Sequence, residues 1–179
     1  MKKRILNVGC GTDVFGTDFI DKYPQRRDVK KCDIDRDRIP YHDNTFNEVY
    51  CGNLFEHLTN PGFAINEMHR VLKKNGELVL ITDNANFWEY STGSIHLGGY
   101  ESKVSKFRRE DRHYQLFTDW HLKNYARKSG FRNVRIRYIY YNSSFSISMK
   151  ILVWIIKNLL DHTRLWRIGY FRLEMTAQK

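Results

Sequence analysis

Apolar positions along this 179-residue chain switch repeatedly between two periods. Short continuous or alternating apolar runs are separated by stretches with helical spacing, as expected of a chain that alternates strands and helices. The runs predict strands at 4–8, 17–21, 28–33, 47–51, 77–82, 134–141 and 170–175. Residues 77–82 are almost all apolar, which suits a parallel strand buried on both faces. A helix is predicted at 61–74, where Phe63, Ile65, Met68, Val71 and Leu72 form one stripe. Asn60 caps it, Pro61 suits its first turn, and Asn75-Gly76 ends it. A second helix is predicted at 118–129, capped by Thr118, lined by Leu122, Tyr125 and Ala126, and closed by Gly130. An apolar, lysine-punctuated helix is predicted at 147–160. Alternating strands and helices imply a parallel sheet with right-handed crossovers.

The first strand runs straight into Gly9-Cys10-Gly11-Thr12. Glycines at such a turn let bare backbone N–H groups approach a ligand closely. In open α/β sheets, ligands sit just past the carboxyl ends of the strands, so this turn is a candidate nucleotide-type site. Residues 84–112 form a long polar segment without strand or helix periodicity, a length that in compact domains usually carries function.

No repeat, low-complexity tract or Pro/Gly/Ser linker divides the chain. It is therefore expected to be one domain, 1–179, with a core at 3–141 and 167–175 and the apolar helix inserted at about 145–160. Cys10, Cys32 and Cys51 are scattered; their spacing matches neither a disulfide framework nor a metal site, so no metal is expected. A reducing, cytoplasmic setting follows. The basic start is not followed by a signal-type apolar stretch, and the longest apolar run, 151–156, is far short of the ~20 residues of a membrane span.

Charge changes the picture of partners. Residues 1–100 hold 13 Lys+Arg and 14 Asp+Glu, whereas 101–179 hold 17 and 6. The excess positive charge lies entirely in the second half, a surface suited to anions such as nucleic acid, acidic glycans or lipid headgroups.

Four ordered stretches carry a family resemblance. They are Ile5-Leu-Asn-Val-Gly-Cys-Gly-Thr12; Cys32-Asp-Ile-Asp35 with Ile39-Pro-Tyr-His-Asp-Asn-Thr-Phe46; Asn53-Leu-Phe-Glu-His-Leu58; and Glu67-Met-His-Arg-Val-Leu-Lys-Lys-Asn-Gly-Glu-Leu78. Gln115-Leu-Phe-Thr118 and Ser129-Gly-Phe131 add a weaker echo. Over roughly residues 3–141 the chain resembles the class I S-adenosylmethionine-dependent methyltransferases, and most closely their small "type 11" group. The resemblance implies a Rossmann-like α/β fold: a seven-stranded, mostly parallel sheet flanked by helices, with the last strand antiparallel.

The resemblance also implies a cofactor site for S-adenosylmethionine, whose spent form is S-adenosylhomocysteine. Backbone amides of Gly9, Cys10 and Gly11, with Thr12 beside them, would face the methionine part. The family usually has Asp where this chain has Asn7, and Gly where it has Asp13. Asp13 could supply the negative charge missing at Asn7. Asp33 has the usual offset for a ribose ligand, but the motif beginning at Ile39 belongs after the third strand. The first crossover is therefore taken as shortened. Asp21 is assigned to the ribose, with Asp18 as the fallback, and Asp33 with Ile34 to the adenine. Asn53 and Leu54 line the other side. A nicotinamide site is disfavoured, because the third glycine of that fingerprint is missing.

Methyl transfer is an in-line displacement from a sulfonium, so alignment dominates. A hydroxyl acceptor also needs a base. The candidates are His113, His57 and Asp83, followed by His96 and Tyr114. The chain lacks both the Asn/Asp-Pro-Pro-Tyr motif of amino-methylating DNA enzymes and a Pro-Cys nucleophile. The expected reaction is methylation, at oxygen, of a small-molecule, sugar or lipid-linked acceptor. The alternatives are an RNA or protein methyltransferase using the basic half, or a non-catalytic S-adenosylmethionine-binding regulator. The 147–160 helix would serve as substrate lid, homodimer contact or peripheral membrane anchor.

Overall fold

The computed structural model describes residues 3–87, 113–139, 155, 170 and 172–179. Strands β1 (Ile5–Val8), β2 (Asp18–Asp21), β3 (Val29–Lys31) and β4 (Phe46–Gly52) come first. A 3₁₀ turn (Phe55–His57), helix α1 (Pro61–Val71) and β5 (Leu72–Asp83) follow. Helix α2 (Asp119–Lys128), β6 (Arg132–Ile139) and β7 (Arg172–Gln178) complete the set. All seven strands form one sheet in the order β3-β2-β1-β4-β5-β7-β6. Neighbours from β3 through β5 pair in parallel, and β7 runs antiparallel to both β5 and β6. This is the mixed Rossmann-like sheet that the resemblance implies.

Helices α1 and α2 cover the same face. Ala64, Ile65, Met68 and Val71 of α1, and Leu122 and Ala126 of α2, share one buried core with Leu6, Val8, Leu78, Leu80, Leu173 and Met175. Asn60 accepts a hydrogen bond from the Phe63 amide, and Thr118 one from the His121 amide, so each helix begins where its capping residue predicts.

The end of α1 differs from the expected 61–74. The helix stops at Val71, and Leu72 turns extended (φ −69°, ψ 140°). Leu72 pairs with Phe46 across the sheet, so its place in the apolar stripe is a strand contact. The Lys179 ammonium then donates to the Leu72 carbonyl at 2.7 Å and to the Arg70 carbonyl, which also accepts from the Asn44 amide, at 3.2 Å. β7 starts later than expected, at Arg172, and runs on to Gln178 because it pairs with strands on both sides. Residues 88–112, with His96, lie outside the described residues, as does the 147–160 helix apart from Ile155. Among the described residues no helix is long and apolar enough to cross a membrane.

The first crossover is short. Parallel strands usually need a dozen or more connecting residues; here residues 9–17 suffice, and neither they nor residues 22–28 contain a helix. The length of β1 explains how. Four residues of strand rise roughly 13 Å, and the five residues 13–17 can span that extended. They fold back along β1, with the Thr17 amide donating to the Ile5 carbonyl (2.9 Å) and the Ile5 amide to the Thr17 hydroxyl (2.9 Å). Gly16 (φ 123°) lies so close over Asn7 that an added Cβ would meet the Ile5 carbonyl at 3.2 Å. β2 then starts beside β1, with Asp18 opposite Leu6.

Candidate active site

A cavity of about 770 Å³ opens at the carboxyl ends of β1, β2 and β3, within the size range of small-molecule sites. Its walls combine the glycine turn, the segment from Ile20 to Gln25, the segment from Lys31 to Asp35, and Leu54, His57 and Leu58. Of the residues expected to touch cofactor, Gly9, Gly11, Asp21, Asp33, Ile34 and Leu54 lie in this lining, and Asn7, Cys10, Thr12 and Asn53 lie outside it. Cys10 packs under β2 with Phe19 and Val29. Asn53 sits just past β4 in a left-handed conformation (φ 51°), exposed, its amide donating to the Ile81 carbonyl.

The glycine-turn amides are used differently from the expectation. The Gly9 and Cys10 amides both donate to the Ile20 carbonyl of β2, at 2.9 and 3.3 Å. The Gly11 amide donates to Asp21 Oδ2 at 2.8 Å. The short crossover brings β2 so near that it takes these donors. Gly9 is needed for space, since a Cβ there would lie 2.6 Å from Leu54 Cδ2. A Cβ on Gly11 would meet no protein atom within 4 Å, so Gly11 leaves room on the cavity side.

Asp21 closes β2 at the cavity. Its Oδ1 accepts from the Tyr23 amide at 2.7 Å and its Oδ2 from Gly11, which leaves each oxygen a lone pair for ribose hydroxyls. Asp18 lies at the opposite end of β2, bound to Arg4 at 2.6 Å and to the Thr17 hydroxyl at 2.8 Å. The Asp33 carboxylate pairs with Lys22 at 3.3 Å across the cavity rim. Asp35 ties two walls together, accepting from the Thr59 amide and hydroxyl (both 3.1 Å) and the Asn60 amide (2.8 Å). Behind this wall the Ile39 amide donates to Glu67, and Arg70 binds both Glu67 and the Ile39 and Tyr41 carbonyls. Burial pushes the Cys32 thiol up to about 12, so this cavity cysteine stays protonated and unreactive.

Asn7 and Asp13 form a pair of their own. Asn7, only 2% exposed, donates from its amide nitrogen to Asp13 Oδ2 (3.1 Å) and to the Phe15 carbonyl (3.0 Å). Asp13 is bound to Asn7 and to the Phe15 amide and lies outside the cavity lining.

The three candidate catalytic residues come together. Asp83, 3% exposed at the end of β5, has its Oδ2 3.3 Å from His113 Nδ1. The His113 ring stands edge-on to His57 with centroids 4.6 Å apart, and His57 lines the cavity. Tyr114 is exposed, and its amide anchors this segment on the Glu56 carbonyl at 2.9 Å. Glu56 was not among the candidate site residues. It is buried, and its carboxylate accepts from the Thr82 hydroxyl at 2.7 Å. Burial, then the charge of Asp83, raises the Glu56 carboxyl above its ordinary range. Its signal in the sequence was its place beside His57 after a buried strand, but nothing there showed Asp83 as its neighbour.

An open α/β sheet with a cavity at its switch point, a glycine turn after β1 and a carboxylate closing β2 has the architecture of a class I methyltransferase. Residues 1–136 match the family model described as a methyltransferase domain, and the chain belongs to that family of S-adenosylmethionine-dependent enzymes. Over 92 residues it is 34% identical to an uncharacterized protein of Methanocaldococcus jannaschii, covering 45% of this chain and 40% of that protein's length. The fold is shared with a SAM-dependent methyltransferase from Archaeoglobus fulgidus, with a TM-score of 0.67 and 16% identity over 99% of this chain and 86% of that one. It is also shared with a Thermotoga maritima methyltransferase described as a possible histamine N-methyltransferase (TM-score 0.64, 14% identity, 100% and 83% covered). A third similar structure is Haemonchus contortus phosphoethanolamine N-methyltransferase 2 in complex with S-adenosylmethionine (TM-score 0.58, 12% identity, 99% and 48% covered).

Proposed function

We propose that this chain transfers the methyl group of S-adenosylmethionine to a hydroxyl of a small-molecule, sugar or lipid-linked acceptor. One observation carries the choice of oxygen: the row Asp83–His113–His57, which ends at the cavity. An amine acceptor attacks as its free base, whereas a hydroxyl gains most from a base that takes its proton as the bond forms. His57 fills that role. His113 packs edge-on against it, with its Nδ1 facing the buried Asp83 carboxylate at 3.3 Å.

The residues present fit the cofactor. Asp21 would hold the ribose hydroxyls, Asp33 and Ile34 the adenine, and the open side of Gly11 and Leu54 the methionine arm. The bound cofactor supplies an electrophilic methyl on a sulfonium, a good leaving group. The protein aligns the acceptor oxygen on the far side of that carbon and removes its proton.

The test is S-adenosylhomocysteine release across a panel of hydroxyl and amine acceptors. We expect turnover with hydroxyls, a fall in kcat of about 100-fold or more in His57→Ala, and unchanged cofactor affinity. Turnover confined to amines, or full activity in His57→Ala, would sink the oxygen assignment.

A further inference from the structure

The glycine turn has no following helix to hold it, yet its outer side is not loose. Arg26, in the connection between β2 and β3, reaches over it. Its Nη1 donates to the carbonyls of Thr12 (3.0 Å) and Asp13 (2.6 Å). Its Nε and Nη2 donate to the two oxygens of Asp28, at 3.1 and 3.3 Å, and its guanidinium lies 4.6 Å over the Phe19 ring. Four of its five N–H groups are thus used, in a planar fork that a lysine cannot reproduce. Phe19 belongs to the small cluster that also holds Cys10, so the guanidinium, the turn and the back of β2 form one packed unit. Arg26 itself does not line the cavity.

We propose that Arg26 is a positioning residue for cofactor binding, a side-chain clamp that does the work of the missing crossover helix. In a helix that follows a glycine turn, carbonyls of the first turn accept hydrogen bonds from amides one turn on. Here the chain leaves Gly11 without a helix, and the guanidinium satisfies two successive carbonyls instead. Asp28 and Phe19 fix the guanidinium, and the guanidinium fixes Thr12 and Asp13. That sets the position of Gly11, whose open side forms the cavity wall where the methionine arm would lie. The inference rests on the family's cofactor and on the cavity assignment, and is independent of which atom is methylated.

The clamp acts chiefly on the methionine end of the ligand, because Asp21 is held in β2 and by the Tyr23 amide as well as by Gly11, and this separates it from a general structural role. The adenosine half is held by Asp21, Asp33 and Ile34; the methionine arm meets the glycine turn. The experiment is isothermal titration of S-adenosylhomocysteine and of adenosine into wild type, Arg26→Ala, Arg26→Lys and Arg27→Ala, with thermal melts of each. Arg27, exposed beside it, controls for lost charge. We expect Arg26→Ala and Arg26→Lys to weaken S-adenosylhomocysteine by about tenfold, the scale of one lost charge-assisted hydrogen bond. Adenosine binding should stay within twofold of wild type, and Arg27→Ala should match wild type for both ligands. Arg26→Lys keeps the charge and part of the stem, so it carries the test alone should Arg26→Ala fail to fold. The clamp is overturned if either variant that folds binds S-adenosylhomocysteine as wild type does. It is equally overturned if both ligands weaken in parallel or if Arg27→Ala shows the same loss.

Discussion

Changing Asn7 to the aspartate usual in the family should damage this protein. The Asn7 amide nitrogen donates to Asp13 at 3.1 Å and to the Phe15 carbonyl at 3.0 Å, in a site only 2% exposed. Asn7→Asp would replace that donor with an acceptor and face it with a carboxylate and a carbonyl. Two carboxylates ~4 Å apart near a protein surface repel by roughly 4 kcal/mol. Protonating one of them at pH 7 costs about as much, three pH units at roughly 1.4 kcal/mol each. Asp13 is exposed and relieves part of this by turning to water. The expected net loss is about 2–3 kcal/mol, or roughly 5–10 °C in Tm for a chain of this size. Urea unfolding at pH 7 and pH 5 measures it. The new carboxyl would have a raised folded-state pKa, so its cost is absent below the unfolded value and grows as pH rises; the loss should be smaller at pH 5. Asn7→Asp combined with Asp13→Asn restores a donor between the two positions and should recover about half of the loss, since the Phe15 carbonyl still faces an acceptor. A stable single variant, or a double variant as weak as the single, would refute the pairing.

Gly11→Val should keep the fold and lose the cofactor. No protein atom lies within 4 Å of the new Cβ, so the cost to stability is the φ of +51°, about 1–2 kcal/mol. The side chain would stand in the cavity, and calorimetry should show no S-adenosylhomocysteine binding. Glu56→Gln should leave Tm unchanged or raised at pH 8, because a buried carboxyl with a raised pKa favours the folded state least where the unfolded chain is ionised. Wild type should lose stability relative to this variant as pH rises above the ordinary glutamate value. Parallel pH profiles would contradict the raised carboxyl.

The sheet was legible because each strand carries its own apolar run and the motifs come in family order. The end of α1 was not. Leu72 continues the helical stripe, and only its pairing with Phe46 reveals it as strand. That Asp21, Asp33, Ile34 and Leu54 line the cavity was readable from their place just past strand ends. The partners of the glycine-turn amides were not, because the Ile20 carbonyl becomes available only once a short crossover sets β2 against the turn. The same folding-back explains Asn7 and Asp13, which look like separate departures from the family pattern and are two halves of one contact. Arg26 gave no periodic signal, since its contacts are made by a loop side chain to a neighbouring loop.

The return of residues 13–17 along β1 ties two lengths together. The strand can be only as long as the strap that runs back beside it, because both must meet at Thr17 and Ile5. Removing one residue from the strap would drag Gly11 away from the cavity, a constraint set by the length of β1. Descendants of this sequence should therefore keep the length of the first connection fixed.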